Sequence, residues 1–332
     1  MIGFWIISLN IKIRKIILYK MSTNIKIIQR NDFAAAFGID VAQLHPEILH
    51  DIQSHDFTYQ ELSPQEREET ILSILQHLNS DKPTVVGEHR AHIWESCWSD
   101  NLAKYTSDVS EKKNLTPDFI KSNRNIRYNK NYIKPISATF EKDVLKTVVK
   151  HLFYHYMVNY STIYEFGCGS GDNLASIAET GVEKILIGMD WSASSNKLLN
   201  TIGQIKNCKL KGERFDFYHP NHDYELVENS AVFTVAALEQ IGDDHTQLMQ
   251  YFLSQKARVF VHLEPIIDFY DEGNLIDYLA ILYHKKRNYL DKYLSALRAF
   301  EQLGIIKIQH AKRMQFGSLY HEAYNIIVWE II

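Results

Sequence analysis

Residues 162–192, TIYEFGCGSGDNLASIAETGVEKILIGMDWS, decide the fold of this chain. A short apolar run, 162–166, is rich in the β-branched and aromatic residues that favour strands, and it ends in a glycine turn. An amphipathic segment follows the turn, and a second apolar run, 185–189, ends at Asp190. A helix-length connection between two buried strands forms a right-handed βαβ unit. The pattern therefore predicts a strand, a tight turn, a helix and a parallel second strand.

The glycine turn, 167–171, brings the backbone close to a ligand. Glycine lacks a Cβ atom, so it reaches positive φ and lets a ligand lie against the main chain. In nucleotide-binding βαβ units, an acid about 20 residues beyond such a turn hydrogen-bonds a ribose diol. Asp190 occupies that position. The stretch therefore predicts a ribose-bearing ligand close to the glycine turn.

The spacing of the glycines differs from the dinucleotide fingerprint G-x-G-x-x-G. Gly167, Gly169 and Gly171 follow G-x-G-x-G, and Glu165 stands two residues before the first of them. This resembles motif I of the class I S-adenosylmethionine-dependent methyltransferases, [DE]-x-G-x-G-x-G, and the resemblance extends over about residues 140–332. It implies an α/β fold with a doubly wound, mostly parallel seven-stranded sheet. The implied strand order is 3-2-1-4-5-7-6, with an antiparallel last hairpin.

The resemblance also implies S-adenosylmethionine as the cofactor and a set of contacts for it. The methionine part is expected beside the glycine turn and Glu165, the ribose at Asp190, and the adenine between Trp191 and Phe217. Leu238-Glu239-Gln240-Ile241 resembles motif IV, commonly L-E-H-I, and Gln240 replaces a histidine often found there. The predicted cofactor contacts are Glu165, Gly167, Gly169, Gly171, Asp190, Trp191, Asp216, Phe217 and Glu239.

Further apolar runs and amphipathic segments supply the rest of the fold. The predicted remaining strands are 215–218, 230–237, 258–263, 305–308 and 324–331. The predicted helices include 139–157, 193–206 and 289–303. A capping box, Ser63-Pro64-Gln65-Glu66, opens another helix nearer the N-terminus.

The reaction needs a base only for some acceptors. A neutral amine needs little help, whereas a hydroxyl must lose its proton, and a positioned base contributes roughly 10²–10⁴-fold. Glu264, His262 and His321 are the candidate catalytic residues. Each has a structural alternative: a capping or hydrogen-bonding role for Glu264, a core histidine for His262, and plain surface for His321.

The chain divides into three parts. Residues 1–20 carry an apolar run too short to cross a bilayer, followed by positive charges, and are interpreted as an upstream extension or a membrane-surface tail. Residues 21–136 are predicted to form a helical N-terminal cap that contributes to the substrate site. Residues 137–332 are predicted to form the Rossmann-like methyltransferase domain.

The N-terminal cap contains an aromatic segment, 87–105, with Trp94 and Trp98 one helical turn apart. One interpretation is an amphipathic helix that buries both rings against the main domain. The other is the wall of a substrate pocket, in which Arg90 binds an anion or a hydroxyl and Trp94 stacks on the acceptor. His89 and His92 lack a carboxylate at a fitting distance, so no metal is predicted.

The composition indicates which classes of binding partner and which compartment fit the chain. The 332 residues carry a formal net charge of −4, which disfavours a nucleic-acid surface, and three separated cysteines fit a reducing cytoplasm. The N-terminal cap and a tyrosine-rich insert, 268–288, suggest a covered pocket. The predicted function is methyl transfer to a small-molecule hydroxyl (a sugar or polysaccharide precursor) or amine. The alternatives are a methyltransferase acting on a protein or nucleic acid, and a non-catalytic cofactor-binding domain.

Overall fold

The computed structural model describes residues 24–332, so the prediction for residues 1–20 lies outside the described residues. Up to residue 135, the chain forms helices and short strands. The helices are α1 (Arg30–Phe37), α2 (Pro46–Ser54), α3 (Pro64–Leu78) and α4 (Ala91–Ser107). The strands are β1 (Ile25–Ile27), β2 (Thr58–Glu61), β3 (Ile126–Tyr128) and β4 (Asn131–Pro135).

We call the remainder of the chain, from residue 136 on, the main domain. Its helices are α5 (Phe140–Leu152), α6 (Asp172–Ala178), α7 (Ala193–Lys206), α8 (Thr246–Ser254), α9 (Leu275–Arg287) and α10 (Tyr293–Gln302). Its first strands are β5 (Thr162–Phe166), β6 (Ile185–Asp190), β7 (Leu210–Arg214), β8 (Ala231–Val235) and β9 (Val259–Glu264). The last strands are β10 (Ile306–Lys312), β11 (Phe316–Gly317) and β12 (Asn325–Ile331).

Seven of these strands form one sheet in the order β10-β12-β9-β8-β5-β6-β7. Strand β5 lies parallel to β6 and β8, and β12 runs antiparallel to both β9 and β10. Numbered along the chain, this is the predicted order 3-2-1-4-5-7-6, so the fold prediction is confirmed. All five residues of β5 are buried, as a central parallel strand requires.

The third strand of the sheet is not where the sequence predicted it. It comprises residues 210–214, and the apolar run 215–218 follows its end. This strand is at the sheet edge, where polar residues are tolerated, so its sequence lacks an apolar signal. Phe215 and Phe217 instead pack against Phe166, with ring centroids 4.9 and 6.4 Å away.

The N-terminal part contains the predicted helices and, in addition, a small antiparallel sheet of order β1-β2-β4-β3-β11. Its last strand, Phe316–Gly317, comes from the loop between the final two strands of the main sheet. Phe33 and Phe37 share a buried apolar cluster with Val144 and Val148 of α5. The N-terminal part and the main domain are therefore joined through both backbone pairing and a common core.

Most of the predicted helices begin and end close to the residues at which the observed helices begin and end. Ser63 and Glu66 form the reciprocal capping box at the start of α3, and α7 coincides with the predicted 193–206. The predicted helix 139–157 is α-helical as far as Leu152 and continues as a π-helical turn. Within residues 24–332, no helix is both long and apolar enough to cross a membrane.

Candidate active site

The glycine turn connects β5 to α6 and has no room for side chains. Gly167 and Gly169 have φ of 72° and 52°, a region that favours glycine. A Cβ atom on Gly167 would lie 2.4 Å from the Cβ of Ala237, and one on Gly169 would lie 2.7 Å from the Trp98 ring. The turn is therefore enclosed by the loop after β8 on one side and by helix α4 on the other.

A cleft of about 1060 Å³, including its open mouth, lies over this turn. It is formed by the carboxyl ends of the central strands, as expected for an open α/β sheet, together with residues of the N-terminal part. Of the predicted cofactor and substrate residues, the cleft is lined by Glu165, Gly167, Gly169, Asp190, Trp191, Phe217 and Trp94. Gly171, Asp216, Glu239 and Arg90 lie outside its lining.

Glu165 is a buried carboxylate at the floor of the cleft. Its Oε1 accepts a hydrogen bond of 2.7 Å from Nδ2 of Asn173, whereas Oε2 has no partner among the described residues. Burial raises the pKa of Glu165 to about 8. A buried, half-satisfied carboxylate is costly, so this oxygen is suited to a cationic or hydrogen-bond-donating ligand group.

Asp190 is held at the end of β6 by two backbone donors. The Gly169 N–H donates to Oδ2 (3.0 Å) and the Ser192 N–H to Oδ1 (2.9 Å). Burial raises the pKa of Asp190 to about 6 despite these bonds. Each carboxylate oxygen has a second lone pair, so the fixed group can still accept hydrogen bonds from a ligand diol.

Aromatic rings form the side of the cleft beyond Asp190. Trp191 and Tyr218 stack with ring centroids 6.0 Å apart, and the Tyr218 hydroxyl donates to the Gln240 carbonyl (2.8 Å). Phe217 lies directly over Gly167. Flat apolar walls of this kind suit a planar ring system such as a purine.

Asp216 points away from these walls. Its Oδ1 accepts a hydrogen bond from the Tyr218 N–H (2.9 Å) and its Oδ2 lies 3.4 Å from His219 Nδ1. With Glu88 these side chains form a group whose ligand atoms lie within 4.8 Å of one another. Exposed acidic groups of this kind are common without an ion, and we assign no metal to them.

Helix α4 covers one side of the cleft with two tryptophan rings. Trp94 and Trp98 stack with centroids 5.6 Å apart, and Phe119 meets Trp94 edge-on at 6.4 Å. Both tryptophans line the cleft, and Trp98 is buried whereas Trp94 is partly buried. The Arg90 guanidinium lies 5.6 Å from the Trp94 ring and donates to Gln240 Oε1 (3.2 Å).

The two candidate histidine bases are engaged in the protein interior. His262 is fully buried: its Nδ1 pairs with Thr234 Oγ1 (3.0 Å) and its Nε2 accepts from Trp329 Nε1 (2.9 Å). Burial lowers the pKa of His262 to about 3. His321 is buried, not on the surface, and its Nδ1 lies 3.2 Å from His284 Nε2. Burial also lowers the pKa of His321 well below its usual value.

Two further buried carboxylates lie behind the cleft: Glu264 at the end of β9 and Glu239 after β8. Glu264 Oε1 accepts from the Ala237 N–H (3.0 Å), and Glu239 Oε1 accepts from Gln240 Nε2 (2.8 Å). The second oxygen of each has no partner among the described residues. Burial raises the pKa of Glu264 to about 7, and burial together with the charge of Glu264 raises that of Glu239 to about 8. Neither side chain lines the cleft.

Several cleft residues were missed by the sequence interpretation. Lys142 and Lys146 of α5 line the cleft, and Lys146 pairs with Asp172 (3.3 Å) at the start of α6. Asn173, which orients Glu165, directly follows the glycine turn and Asp172, and this position was the available signal. The lysines gave no signal, because cations on an amphipathic helix are normally solvated.

The strand order, the glycine turn and the acids at the ends of β5 and β6 now decide the fold. The chain has the class I methyltransferase fold. No protein-family model and no curated protein matches it.

Solved structures similar to this chain include an rRNA methylase from Escherichia coli (13% identity, 80% of this chain and 92% of the other covered, TM-score 0.42). The 16S rRNA methylase ArmA has 14% identity, coverage of 71% and 98%, and a TM-score of 0.41. The geranyl diphosphate C-methyltransferase from Streptomyces coelicolor A3(2) has 11% identity, coverage of 60% and 86%, and a TM-score of 0.40. With identities this low, the assignment depends on the strand order and the turn described above.

Proposed function

We propose that this chain transfers the methyl group of S-adenosylmethionine to a small-molecule acceptor, either a hydroxyl of a sugar or polysaccharide precursor or an amine. The observation that carries the proposal is the free Oε2 of Glu165, buried beside the glycine turn in the cleft. A buried carboxylate oxygen at this point is matched by the ammonium group of the donor's methionine part.

The other cleft residues fit the rest of the donor. Asp190 would accept hydrogen bonds from the ribose hydroxyls, and Trp191 and Phe217 would flank the adenine. Lys146, which pairs with Asp172 (3.3 Å) at the start of α6, would favour the donor's carboxylate. Glu239 and Asp216 lie outside the lining, so we propose no direct donor contact for them.

When bound, the donor supplies a methyl group that its sulfonium already activates. The residues of the chain then have to hold the acceptor in line and exclude water. Trp94, Trp98 and Phe119 cover the cleft from the N-terminal part, which favours an acceptor small enough to be enclosed. None of the three candidate bases, Glu264, His262 and His321, lines the cleft, so we propose no catalytic base among them.

The proposal is tested by incubating the protein with methyl-labelled S-adenosylmethionine and a panel of sugars, nucleotide sugars and amines, with RNA and protein as comparison acceptors. We expect label transfer to a small molecule. A Trp94→Ala variant should raise the KM for that acceptor by about tenfold, as for a lost aromatic contact of about 1–1.5 kcal/mol. It should leave the affinity for S-adenosylhomocysteine within about twofold. Transfer to RNA or protein alone would contradict the acceptor class.

A further inference from the structure

The carboxylate of Glu95 fastens helix α4 to the main domain. Its Oε2 accepts a hydrogen bond from the Ser192 hydroxyl (2.6 Å), and its Oε1 accepts from the Ser194 hydroxyl (2.5 Å) and the Ser194 N–H (3.2 Å). The two serines are 97 and 99 residues away along the chain. The N-terminal part is thereby attached at the rim of the cleft by specific polar contacts as well as by apolar packing.

These contacts lie at the start of helix α7, where a negative charge is favourable. Ser192 is the N-cap residue and its Oγ accepts from the Ser195 N–H (3.1 Å). The unpaired N–H groups and dipole of a helix N-terminus stabilise a nearby carboxylate. Burial opposes ionisation of Glu95, but the hydrogen bonds from Ser192 and Ser194 outweigh it, so the pKa of Glu95 is lowered. Glu95 is therefore a charged acceptor at neutral pH.

Ser192 also holds Asp190, one of the carboxylates that line the cleft. Ser192 receives Glu95 through its hydroxyl and donates its backbone N–H to Asp190, which in turn accepts from Gly169. Three residues after Glu95, and so on the same face of α4, the Trp98 ring contacts Gly169. Helix α4 thus contacts both the loop of Asp190 and the glycine turn, and Glu95 and Trp98 make these two contacts.

We propose that Glu95 is a positioning residue of the methyl-donor pocket, which it completes by holding helix α4, and with it the Trp98 ring, against the loop of Asp190 and the glycine turn. The inference rests on the proposed function, since it concerns the donor of that reaction. It assigns the N-terminal part to the donor site as well as to the acceptor site. Loosening α4 should therefore weaken donor binding even though Glu95 does not line the cleft.

The test is a calorimetric titration of the full chain with S-adenosylhomocysteine. Glu95→Ala should weaken binding by about tenfold, the loss expected when a charge-assisted hydrogen bond is removed. Glu95→Gln keeps an acceptor oxygen without the charge and should lie between Glu95→Ala and the wild type. Asp100→Ala, on the exposed face of the same helix, is the matched control and should bind like the wild type.

A second variant separates positioning from loss of the fold. Ser194→Ala removes a single hydroxyl donor to Glu95, and it should weaken binding less than Glu95→Ala. Combined with Glu95→Ala it should add nothing further, because the two changes remove the same contact. Wild-type binding by Glu95→Ala would overturn the inference alone. A wild type that binds no S-adenosylhomocysteine would overturn the proposed function and the inference with it.

Discussion

Two buried carboxylates lie at the carboxyl edge of the main sheet, one on β5 and one after β8. They differ in whether the carboxylate is in contact with the cleft. Glu165, on β5, and Glu239, after β8, are both buried, and the pKa of each is raised to about 8. Glu165 lines the cleft, whereas Glu239 lies behind it beside Glu264. Burial and a raised pKa therefore do not by themselves identify a ligand-binding group. Access to the cleft distinguishes the two.

The largest expected effect comes from adding a methyl group to the glycine turn, where we propose that the donor binds. Gly167→Ala would place a Cβ 2.4 Å from Ala237 at positive φ, so we expect donor binding to be lost. Strain and overpacking should also lower the free energy of unfolding by about 2–4 kcal/mol. Gly181→Ala is the control, because Gly181 has φ of 74° but nothing within 4 Å of its Cβ position. It should bind the donor normally, as measured by calorimetry; equal effects of the two variants would contradict the account.

The second prediction concerns the core behind β8 and β9. His262→Ala removes the partner of Thr234 and Trp329 and leaves a cavity, so it should lower the free energy of unfolding by about 3 kcal/mol. Urea unfolding measures this loss. The folded variant should still bind S-adenosylhomocysteine with nearly wild-type affinity. A variant of normal stability with no methyl transfer would instead assign His262 a catalytic role.

A smaller effect is expected in the pH dependence of stability. Because burial raises the pKa of Glu165 and Glu239 to about 8, the native state retains protons that the unfolded chain has released above about pH 4.5. Stability should therefore fall as pH rises towards about 8. Glu165→Gln and Glu239→Gln should each reduce the fall in Tm between about pH 7 and pH 8.

The pH dependence of Tm, measured again with S-adenosylhomocysteine present, distinguishes Glu165 from Glu239. A bound ammonium favours ionised Glu165, so saturating S-adenosylhomocysteine should remove the contribution of Glu165 to the slope. The contribution of Glu239 should remain, because Glu239 does not face the cleft. If the analogue flattened the slope equally in wild type and Glu165→Gln, the assignment of Glu165 would be wrong.

The sequence was sufficient where a whole feature lies within one continuous stretch. The βαβ unit of residues 162–192 places Glu165, the glycines and Asp190 by local chain geometry, and all but Gly171 line the cleft. The strand order followed from the family resemblance and is confirmed. These predictions needed no knowledge of distant contacts.

Features that depend on distant segments could not be predicted from the sequence. Glu95 looks like an ordinary surface acid, and only the packing of α4 on α7 brings it to Ser192 and Ser194. Arg127 gives no sign in the sequence that it belongs to the interior, but its side chain is buried and donates to the Ile276 carbonyl. Its strand is only three residues long, too short for a periodic signal.

The central claim is that the free oxygen of Glu165 binds the donor. The most direct measurement is the affinity for S-adenosylhomocysteine of Glu165→Gln beside Glu239→Gln and the wild type, by calorimetry at about pH 8.5. The account predicts that Glu165→Gln binds about tenfold or more weakly, as for a lost charged hydrogen bond, and that Glu239→Gln stays within about twofold of wild type. Unchanged affinity in Glu165→Gln would contradict it.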